Sequence, residues 1–329
     1  MPLSPKVSLI TAARNAERYI VQTIESVRAQ TFQDWEYIIA EHGSTDGTVA
    51  AIRRFLDDER IRLISVARKG KAVGRNAAFA ESRGRYIANI DADDLWEREK
   101  LAKQLKVFER RPDIALVYTG VKFLNEITHT EKIRIPFDLS KSADPLKHML
   151  TIDNPITHSS VLFRKDLFFD GRYQYEELEK VDELITYWRV LAACNKAGFI
   201  PEPLTVYRIH AESEHENQPV DEFCEWYRKS LNTFFALPNL PRRVVNLKRH
   251  AVATMYFISG TVGLPRRGSL MISAKYLLKS ICLHPAIAYR CLYPLLGCLA
   301  RPILLHNSRL AACMSRLRGE APQNNLRSD

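Results

Sequence analysis

The segment YIANIDADDLW, from Tyr86 to Trp96, joins an apolar run to a group of acids. The run YIANI has the composition of a buried strand. Asp91, Asp93 and Asp94 then follow within four residues. Carboxylates are ligands that Mg²⁺ and Mn²⁺ prefer, and such an ion can bind the diphosphate of a substrate. The segment therefore predicts a ligand site at the end of a core strand.

Asp94 has a structural interpretation. Asp94 and Glu97 match a capping box that begins a helix in LWEREKLAKQL. Because one helix needs only one cap, Asp91 and Asp93 are left for a ligand. Two acids one residue apart are common by chance, and their place after a strand is what gives the pair its weight.

Strands and helices alternate around this segment. The predicted strands are KVSLITAA, WEYIIAE, IRLISV and RYIANID, and the predicted helices are AERYIVQTIESVRAQ, DGTVAAIRRFLDD, KAVGRNAAFAESR and EREKLAKQLKVFERR. This order predicts an α/β fold with a mostly parallel sheet and helices on both faces. Ligands of such sheets bind beyond the carboxyl ends of the strands. We therefore expect the polar clusters RN, EHGSTDG, ARKGKAVGRN and DADD to share one rim.

The alternation becomes less regular after Pro112. The segments IALVYTGVKFL, KIRIPF and SSVLFR are strand-like, VDELITYWRVLAACNKAG is a helix with Gly198 as its C-cap, and PEPLTVYRIH is a last strand. From about Asp221 onward the pattern is helical. The polar run AESEHENQPVD separates the two parts, so we predict a first domain of residues 1–215 and a helical region of residues 216–329.

The composition is that of a globular protein. The chain has 329 residues, of which 46% are hydrophobic and 26% charged, enough for one or two domains. Its six cysteines form no CxxC pair, so we expect neither a zinc site nor a disulfide framework. The N-terminal apolar run is too short for a secretory signal and no cleavage site follows it. A cytoplasmic location is the expectation.

The net charge of +10 is concentrated near the C-terminus. Between Leu240 and Asp329 there are 14 Lys and Arg residues and 2 acids, which favours contact with an anionic surface. The apolar stretch CLYPLLGCLARPILL contains Arg301 and two prolines and is shorter than the roughly 20 residues of a bilayer span. Three roles stay open for this region: a membrane surface, packing on the first domain, and a homo-oligomer face. We expect no nucleic acid among the partners.

Two nucleotide-binding motifs are absent from the sequence. Neither GxGxxG nor GxxxxGK[ST] occurs, which disfavours a Rossmann dehydrogenase and a P-loop enzyme. A nucleotidyltransferase also places paired acids at a sheet rim, but the glycine-rich signature loop that it needs is missing here. A divalent ion on carboxylates is another way to bind a diphosphate.

Three stretches together resemble the family 2 glycosyltransferases, which have the GT-A fold and use nucleotide-diphospho-sugars. They are VSLITAARNAERYIVQTIESVRAQTFQDWEYIIAEHGSTDGT, GRNAAFAESRGRYIANIDADDLWEREKLAKQ and PEPLTVYRIH, in family order and at family spacing. The resemblance implies that residues 1–215 are a GT-A catalytic domain and that transfer inverts the anomeric configuration.

The resemblance implies contacts with the nucleotide-sugar at positions around the first four strands. These positions are Ala12, Arg14, Asn15, Glu41, Arg75, Asn76 and Asp91. The family's acidic pair that binds the base is Glu41-His42 here, which leaves the base open although uracil is the commonest. The structural alternative for this pair is a solvated loop. Arg75, which follows Gly74 where the family has Ala, contacts the diphosphate or base, or is an exposed helix residue.

By the same resemblance Asp93 ligates a divalent metal, Mn²⁺ or Mg²⁺, while Asp91 contacts the ribose. His210, the last residue of YRIH, matches a position near the metal and the diphosphate, and a neutral imidazole is a suitable ligand. The alternative for His210 is a strand-end side chain that faces solvent. Asp46 is interpreted as the N-cap of a helix over residues 47–57.

The catalytic base is a second point of departure from the family. The family has Glu-Asp at the start of a helix, whereas this chain has Asp182-Glu183. Aligning Arg189 with the helix arginine of the family makes Glu183 the base, with Asp182 as the alternative. Acids also stabilise a helix N-terminus, which is the structural alternative. The segment from Thr157 to Lys165 resembles the family's acceptor-side segment and receives no role.

The resemblance predicts an enzyme that transfers a sugar from a nucleotide-diphospho-sugar, preferably a UDP-sugar, to a hydroxyl group of a glycan or lipid-linked acceptor. The expected process is synthesis of the cell envelope or of extracellular polysaccharide. The expected place is the cytoplasm, including the inner face of the cytoplasmic membrane. The alternative is a catalytically weak or inactive protein that binds nucleotide-sugars and is anchored by its basic tail.

Overall fold

A computed structural model describes residues 4–168, 182–213, 219–263 and 270–287. Within these ranges nine strands form one sheet. Their bounds are β1 Val7–Ala13, β2 Trp35–Glu41, β3 Ile61–Ser65, β4 Tyr86–Asn89, β5 Leu95–Trp96, β6 Leu116–Asn125, β7 Thr130–Arg134, β8 Leu162–Arg164 and β9 Ala197–Ile209.

The helices of the described ranges alternate with the first strands and then follow one another. Their bounds are α1 Ile20–Arg28, α2 Thr48–Arg53, α3 Lys71–Glu81, α4 Lys100–Arg110, α5 Pro145–Thr151, α6 Asp182–Ala193, α7 Val220–Phe235, α8 Arg242–Val245, α9 Lys248–Gly263 and α10 Leu270–Leu283. The predicted α/β alternation over the first hundred residues is confirmed.

The sheet has the order β3-β2-β1-β4-β8-β6-β9-β5, with β7 beside β6. Strands β1 to β4 are parallel to one another, as predicted, while β8 runs antiparallel to both β4 and β6. Strand β6 therefore runs in the same direction as β4. The carboxyl ends of β1, β2, β3 and β4 share one rim, where an α/β sheet places its ligands.

Buried side chains cover both faces of the sheet. Along β1, Leu9 belongs to one apolar cluster and Ile10 to the other, because successive side chains of a strand point to opposite faces. Helices α1 and α4 cover the face of Leu9, and helices α3, α5 and α6 cover the face of Ile10. This confirms the prediction of helices on both faces.

The C-terminal helices pack on the face that contains Ile10. Trp188 of α6 stacks on Tyr227 of α7 with ring centroids 5.9 Å apart and meets Phe234 edge-on at 5.5 Å. The same apolar cluster extends to Tyr276 of α10. The described part of the C-terminal region thus shares its core with the sheet, while the predicted boundary at residue 216 lies outside the described residues.

Two sequence-based predictions for this part of the chain are wrong. Helix α6 ends at Ala193, and Gly198 lies in β9 instead of capping the helix. A Cβ at Gly198 would lie 2.9 Å from the side chain of Val107, so close packing of α4 on β9 explains the glycine. Helix α4 begins at Lys100 and not near Leu95, because residues 95 and 96 pair with β9 as strand β5.

Candidate active site

The chain after β4 places Asp91 and Asp93 at the shared rim. The hydroxyl of Thr11 donates a hydrogen bond to the carbonyl of Ile90 at 2.6 Å, and the backbone N–H of Asp91 donates to Ser159 Oγ at 3.0 Å. These bonds join the loop to β1 on one side and to the segment before β8 on the other. The acids are therefore held at defined positions.

Arg75 and Asp91 form an ion pair at this rim. The Arg75 guanidinium lies 2.6 Å from Asp91 Oδ1, and only 3% of Arg75 is exposed. Burial raises the pKa of Asp91, but the neighbouring positive charges, of which Arg75 has the largest effect, together with the hydrogen bond from Arg75 lower that pKa below its ordinary value. The exposed-helix alternative for Arg75 is wrong. Asn76, the next residue of α3, is half-buried.

Glu41 and His42 are buried at the end of β2, so the solvated-loop alternative is wrong. Glu41 Oε1 accepts the backbone N–H of Gly43 at 2.7 Å and that of Ser44. Burial raises the pKa of Glu41, and the stronger combined effect of these donors lowers it. The carboxylate is ionised at neutral pH and braces the turn that follows β2.

His42 and Gly74 are two departures from the family pattern that meet in space. A Cβ at Gly74 would lie 3.2 Å from His42 Cδ2 and 3.0 Å from the Cβ of Ala12. The glycine therefore makes room for the imidazole. His42 Nδ1 accepts the N–H of Gly70 at 3.3 Å, and burial together with the charge of Arg14 lowers the pKa of His42. The imidazole is neutral at neutral pH.

Asn15 connects the ends of β1 and β2. Its backbone has φ of 50°, a left-handed conformation that asparagine tolerates better than most residues. Its Oδ1 accepts the N–H of Thr45 at 2.9 Å, and its own N–H donates to Ser44 Oγ at 3.2 Å. Arg14, one residue earlier, is exposed at the rim.

Asp46 lies one residue before the N-cap position of α2, which Gly47 occupies. Its Oδ1 accepts the backbone N–H of Thr48, the first residue of the helix, at 3.0 Å, so Asp46 contacts the helix start but is not the predicted N-cap. The helix is shorter than predicted and ends at Arg53.

Asp93 and His210 form a second pair. The distance between Asp93 Oδ2 and His210 Nε2 is 3.0 Å. His210 is 8% exposed and its imidazole stacks on Tyr19 with ring centroids 4.5 Å apart, so the solvent-facing alternative for His210 is wrong. Tyr19 in turn donates to Glu126 Oε2 at 3.0 Å.

A cleft of about 600 Å³ opens beside this pair. Its walls come from the ends of β1 and β9 and from the loop after β2. The lining residues are Asn15, Glu17, Arg18, Tyr19, Thr45, Asp46, His210, Ala211 and Glu212. Two predicted site residues, Asn15 and His210, therefore line one cleft.

The pair of Asp93 and His210 fits a divalent metal. A carboxylate is a suitable ligand for Mn²⁺ and Mg²⁺, a neutral imidazole is a common metal ligand, and 34% of the Asp93 side chain is exposed and can be reached from solvent. In the described ranges no group of three or more His, Cys, Asp or Glu side chains is arranged to hold a metal. Mg²⁺ is commonly bound by one or two carboxylates and completes its shell with substrate phosphates and water, so the single carboxylate of Asp93 is consistent with such a site.

Asp94 is not a helix cap, which corrects the sequence interpretation. It is buried, its Oδ1 accepts the backbone N–H of Arg208 at 3.1 Å, and its Oδ2 bonds to Ser159 Oγ. Burial raises the pKa of Asp94, and the nearby negative charges of Asp93 and Asp91 raise it further. Asp94 joins the loop after β4 to β9 and to the segment before β8.

We expect Asp94→Ala to lower the free energy of unfolding by about 2–4 kcal/mol, because two buried donors lose their acceptor. Chemical denaturation measures this loss. Glu97→Ala is the matched control, since Glu97 is exposed and would be the partner of Asp94 in a capping box. A comparable loss for Glu97→Ala, or a loss below 1 kcal/mol for Asp94→Ala, would restore the capping interpretation.

The two acids predicted as candidates for the general base, Asp182 and Glu183, lie at the start of α6. Asp182 is the first residue of the helix, and its side chain lies outside the described part of the structure. Glu183 is half-buried, and its negative charge acts on both His158 and Tyr207. Asp91 also acts on these two side chains, so Glu183 and Asp91 both lie in the neighbourhood of His158 and Tyr207.

Sequence reasoning missed His158 and Ser159. Both are buried, Ser159 contacts Asp91 and Asp94, and His158 Nδ1 lies 2.8 Å from the hydroxyl of Tyr187. The available signal was a run of polar residues, THSS, directly before the apolar strand VLF. Such a run at a strand start is usual for a loop and does not by itself indicate burial.

Comparisons with known proteins show the family to which the chain belongs. The family model described as Glycosyl transferase family 2 matches residues 8–168. The putative teichuronic acid biosynthesis glycosyltransferase TuaG of Bacillus subtilis is 40% identical over 218 residues, which are 65% of this chain and 83% of TuaG. This chain belongs to glycosyltransferase family 2.

Another relative and a solved structure are also similar to this chain. The Escherichia coli enzyme WfaP, named as a UDP-Glc:α-D-GlcNAc-diphosphoundecaprenol β-1,3-glucosyltransferase, is 29% identical over 68% of this chain and 84% of its own. The mannosyltransferase PcManGT of Pyrobaculum calidifontis, solved with GDP-Man and Mn²⁺, superposes with a TM-score of 0.61 at 17% identity and covers 97% of this chain and 89% of its own. The latter supports the GT-A fold predicted for this glycosyltransferase.

None of the helices in the described ranges has the length and apolar character needed to cross a bilayer.

Proposed function

We propose that this glycosyltransferase moves a sugar from a nucleoside diphosphate to a hydroxyl group of a glycan or lipid-linked acceptor, with inversion, in synthesis of the cell envelope or extracellular polysaccharide. The observation that carries the proposal is the paired arrangement after β4, where Asp91 is bound to Arg75 and Asp93 faces His210. The names of TuaG and WfaP, which concern teichuronic acid and a diphosphoundecaprenol-linked sugar, support the acceptor class.

Asp93 and His210 are the residues that we propose for holding Mn²⁺ or Mg²⁺. When bound, such an ion offsets the negative charge of the departing diphosphate as a Lewis acid. The Mn²⁺ in the PcManGT complex supports a divalent ion for this fold. Arg75 holds the carboxylate of Asp91 at 2.6 Å, which orients the other oxygen of Asp91 for a ribose hydroxyl.

Glu183 is the proposed general base, with Asp182 as the alternative. The base takes the proton of the acceptor hydroxyl while the hydroxyl oxygen bonds to the anomeric carbon and the nucleoside diphosphate leaves from the opposite face. A single displacement of this kind inverts the anomeric configuration. No covalent glycosyl-enzyme is required.

We propose a UDP-sugar as the donor, since the name of WfaP specifies UDP-Glc. Ala12, Arg14, Asn15, Glu41 and Asn76 complete the proposed nucleotide-sugar contacts. The carboxylate of Glu41 already accepts two backbone N–H groups, which hold it at the end of β2, where we propose that the nucleotide base binds. Because PcManGT binds GDP-Man, uridine and guanosine donors both belong in the assay.

The alternative function is a transferase-like protein that binds nucleotide-sugars with little or no turnover. A thermal-shift screen of UDP- and GDP-sugars, with and without Mn²⁺, followed by a donor hydrolysis assay, separates the two. We expect a rise in melting temperature with at least one donor, larger with Mn²⁺, together with release of nucleoside diphosphate. Stabilisation without release would favour the binding protein, and no stabilisation would contradict both.

The outer face of α10 supports our proposal that the protein binds the anionic inner face of the cytoplasmic membrane. Met271 is 87% exposed and Leu278 62% exposed, and Lys275, Lys279 and Cys282 are exposed beside them. The helix contains no acid. An isologous dimer would place this face on itself and bring like charges together, so a membrane surface fits better than a homo-oligomer.

We expect the protein to sediment with anionic liposomes at low salt, weakly with neutral ones, and to be released by high salt. Each basic residue near such a surface contributes about 1 kcal/mol, which salt screens. Arg290, Arg301 and Arg309 lie outside the described residues, and their replacement by Gln should weaken binding. Equal partition to neutral and anionic vesicles, or none to either, would favour packing or a dimer.

A matched pair of variants tests the α10 face itself. Lys275→Gln/Lys279→Gln should weaken sedimentation with anionic liposomes. Lys106→Gln/Arg110→Gln is the control, because it removes the same charge from α4 on the opposite face of the sheet. Equal weakening by both pairs would mean that only net charge matters and would contradict a specific α10 surface.

A further inference from the structure

His158 connects the rim after β4 to the helix that begins at the proposed base. It lies in a 3₁₀ turn, His158–Ser160, and its Nδ1 is 2.8 Å from the hydroxyl of Tyr187. Tyr187 is fully buried and lies four residues after Glu183 in α6. Residues with this spacing share one face of a helix, so the hydrogen bond acts one turn from Glu183.

The turn that contains His158 is anchored to the rim by the next residue. Ser159 Oγ accepts the N–H of Asp91 at 3.0 Å and bonds to Asp94. The carbonyl of Ser159 accepts Trp96 Nε1 at 2.7 Å. His158 therefore has a defined position relative to Asp91, independent of α6.

We propose that His158 is a positioning residue that holds the first turns of α6, and with them Glu183 and Asp182, at a set distance from the donor site. The proposal rests on the function proposed above. Ser159 fixes the turn that contains His158, and Tyr187 belongs to α6. The hydrogen bond between His158 and Tyr187 therefore holds α6 at a set position relative to the turn.

The protonation state of His158 suits a positioning role and not acid–base chemistry. Burial lowers its pKa to about 3, and the positive charge of Arg75 acts in the same direction against smaller effects of Asp91 and Glu183. The imidazole therefore stays neutral over the pH range in which enzymes of this kind are assayed. A neutral ring keeps its hydrogen bond to Tyr187 unchanged as the pH varies.

Three variants separate the two ring nitrogens of His158. In His158→Asn the amide lies near the place of Nδ1 and can still bond to Tyr187, whereas in His158→Gln the amide is near the place of Nε2. Tyr187→Phe removes the hydroxyl alone. We expect His158→Gln and Tyr187→Phe to lower kcat about 10- to 100-fold, as a misplaced catalytic group does, with the donor KM unchanged. His158→Asn should retain most of kcat.

A double variant tests whether the two side chains act together. His158→Gln/Tyr187→Phe should lose little more activity than either single variant, because both remove the same contact. Tyr118→Phe is the control: its hydroxyl is also buried and accepts the N–H of Leu139 at 2.8 Å, but it lies in β6 and should lower stability without lowering kcat. A Tyr187→Phe variant with the kcat of wild type, or losses that add fully, would overturn the proposal.

Hydrogen exchange tests the same idea without turnover. Backbone amides of α6 should exchange faster in Tyr187→Phe and His158→Gln than in wild type or Tyr118→Phe. Unchanged exchange in α6 would overturn the positioning role even in an active enzyme. If wild type shows no transfer or hydrolysis while α6 exchange responds as expected, the proposed function fails and the structural role of His158 stands.

Discussion

Asp93→Ala is expected to lower sugar transfer at least about 10³-fold, with little change in the free energy of unfolding. The loss follows because a metal at a developing charge supplies several kcal/mol, and each 1.36 kcal/mol is tenfold in rate. The fold should survive because Asp93 lies at the rim and 34% of its side chain is exposed. Initial rates with Mn²⁺ or Mg²⁺, before and after chelation, measure the effect, and calorimetric titration with Mn²⁺ gives a readout independent of activity.

Asp113→Ala is the matched control for Asp93→Ala. Asp113 is an exposed carboxylate paired with Lys196 at 2.8 Å, and it precedes β6. Because β6 runs in the same direction as β4, Asp113 lies at the amino ends of these strands, on the rim opposite the candidate site. Its loss should therefore not change the rate. Full activity of the wild type in excess EDTA would exclude the metal role of Asp93.

Glu183→Gln is expected to lower turnover by roughly 10²-fold or more, the usual scale for a lost general base. The amide keeps the size of the side chain but cannot accept the proton of the acceptor hydroxyl. Donor affinity should change little, because the base faces the acceptor. Steady-state kinetics with the donor and the acceptor varied separately distinguish a change in turnover from a change in donor affinity.

Asp182→Asn is the comparison for Glu183→Gln and should lose less activity. The order of the two acids is reversed relative to the family, so the larger effect identifies the base. If Asp182→Asn were the more damaging variant, the alignment through Arg189 would be wrong. If neither variant lowered turnover, acids at this position would only stabilise the start of α6.

Much of the candidate site could be predicted because its residues follow strands in order. Asp91 and Asp93 come after β4, Asn15 after β1 and Glu41 at the end of β2, and parallel strands bring these ends to one rim. The period of apolar residues identified the strands, and the order of strands and helices predicted their direction. Neither step needs a contact between distant residues.

The interpretation of single polar residues was less successful. Asp94 and Glu97 match a capping box in sequence, yet Asp94 is buried against Arg208 and Ser159. For Arg75 the sequence left a diphosphate or base contact and an exposed helix residue open, and only the structure shows that it is buried on Asp91. A polar residue at a chain reversal has the same local sequence whether it faces solvent or a distant partner, so burial could not be predicted from the pattern.

The sequence by itself determined the α/β alternation, the shared rim and the family, because periodicity and motif spacing are properties of the chain alone. The tertiary structure decided which polar groups meet. The contact of His42 with Gly74, the pair of Asp93 and His210 and the hydrogen bond of His158 to Tyr187 each join different elements. Such contacts depend on how strands and helices pack. Burial then removes water and so strengthens each electrostatic interaction and hydrogen bond.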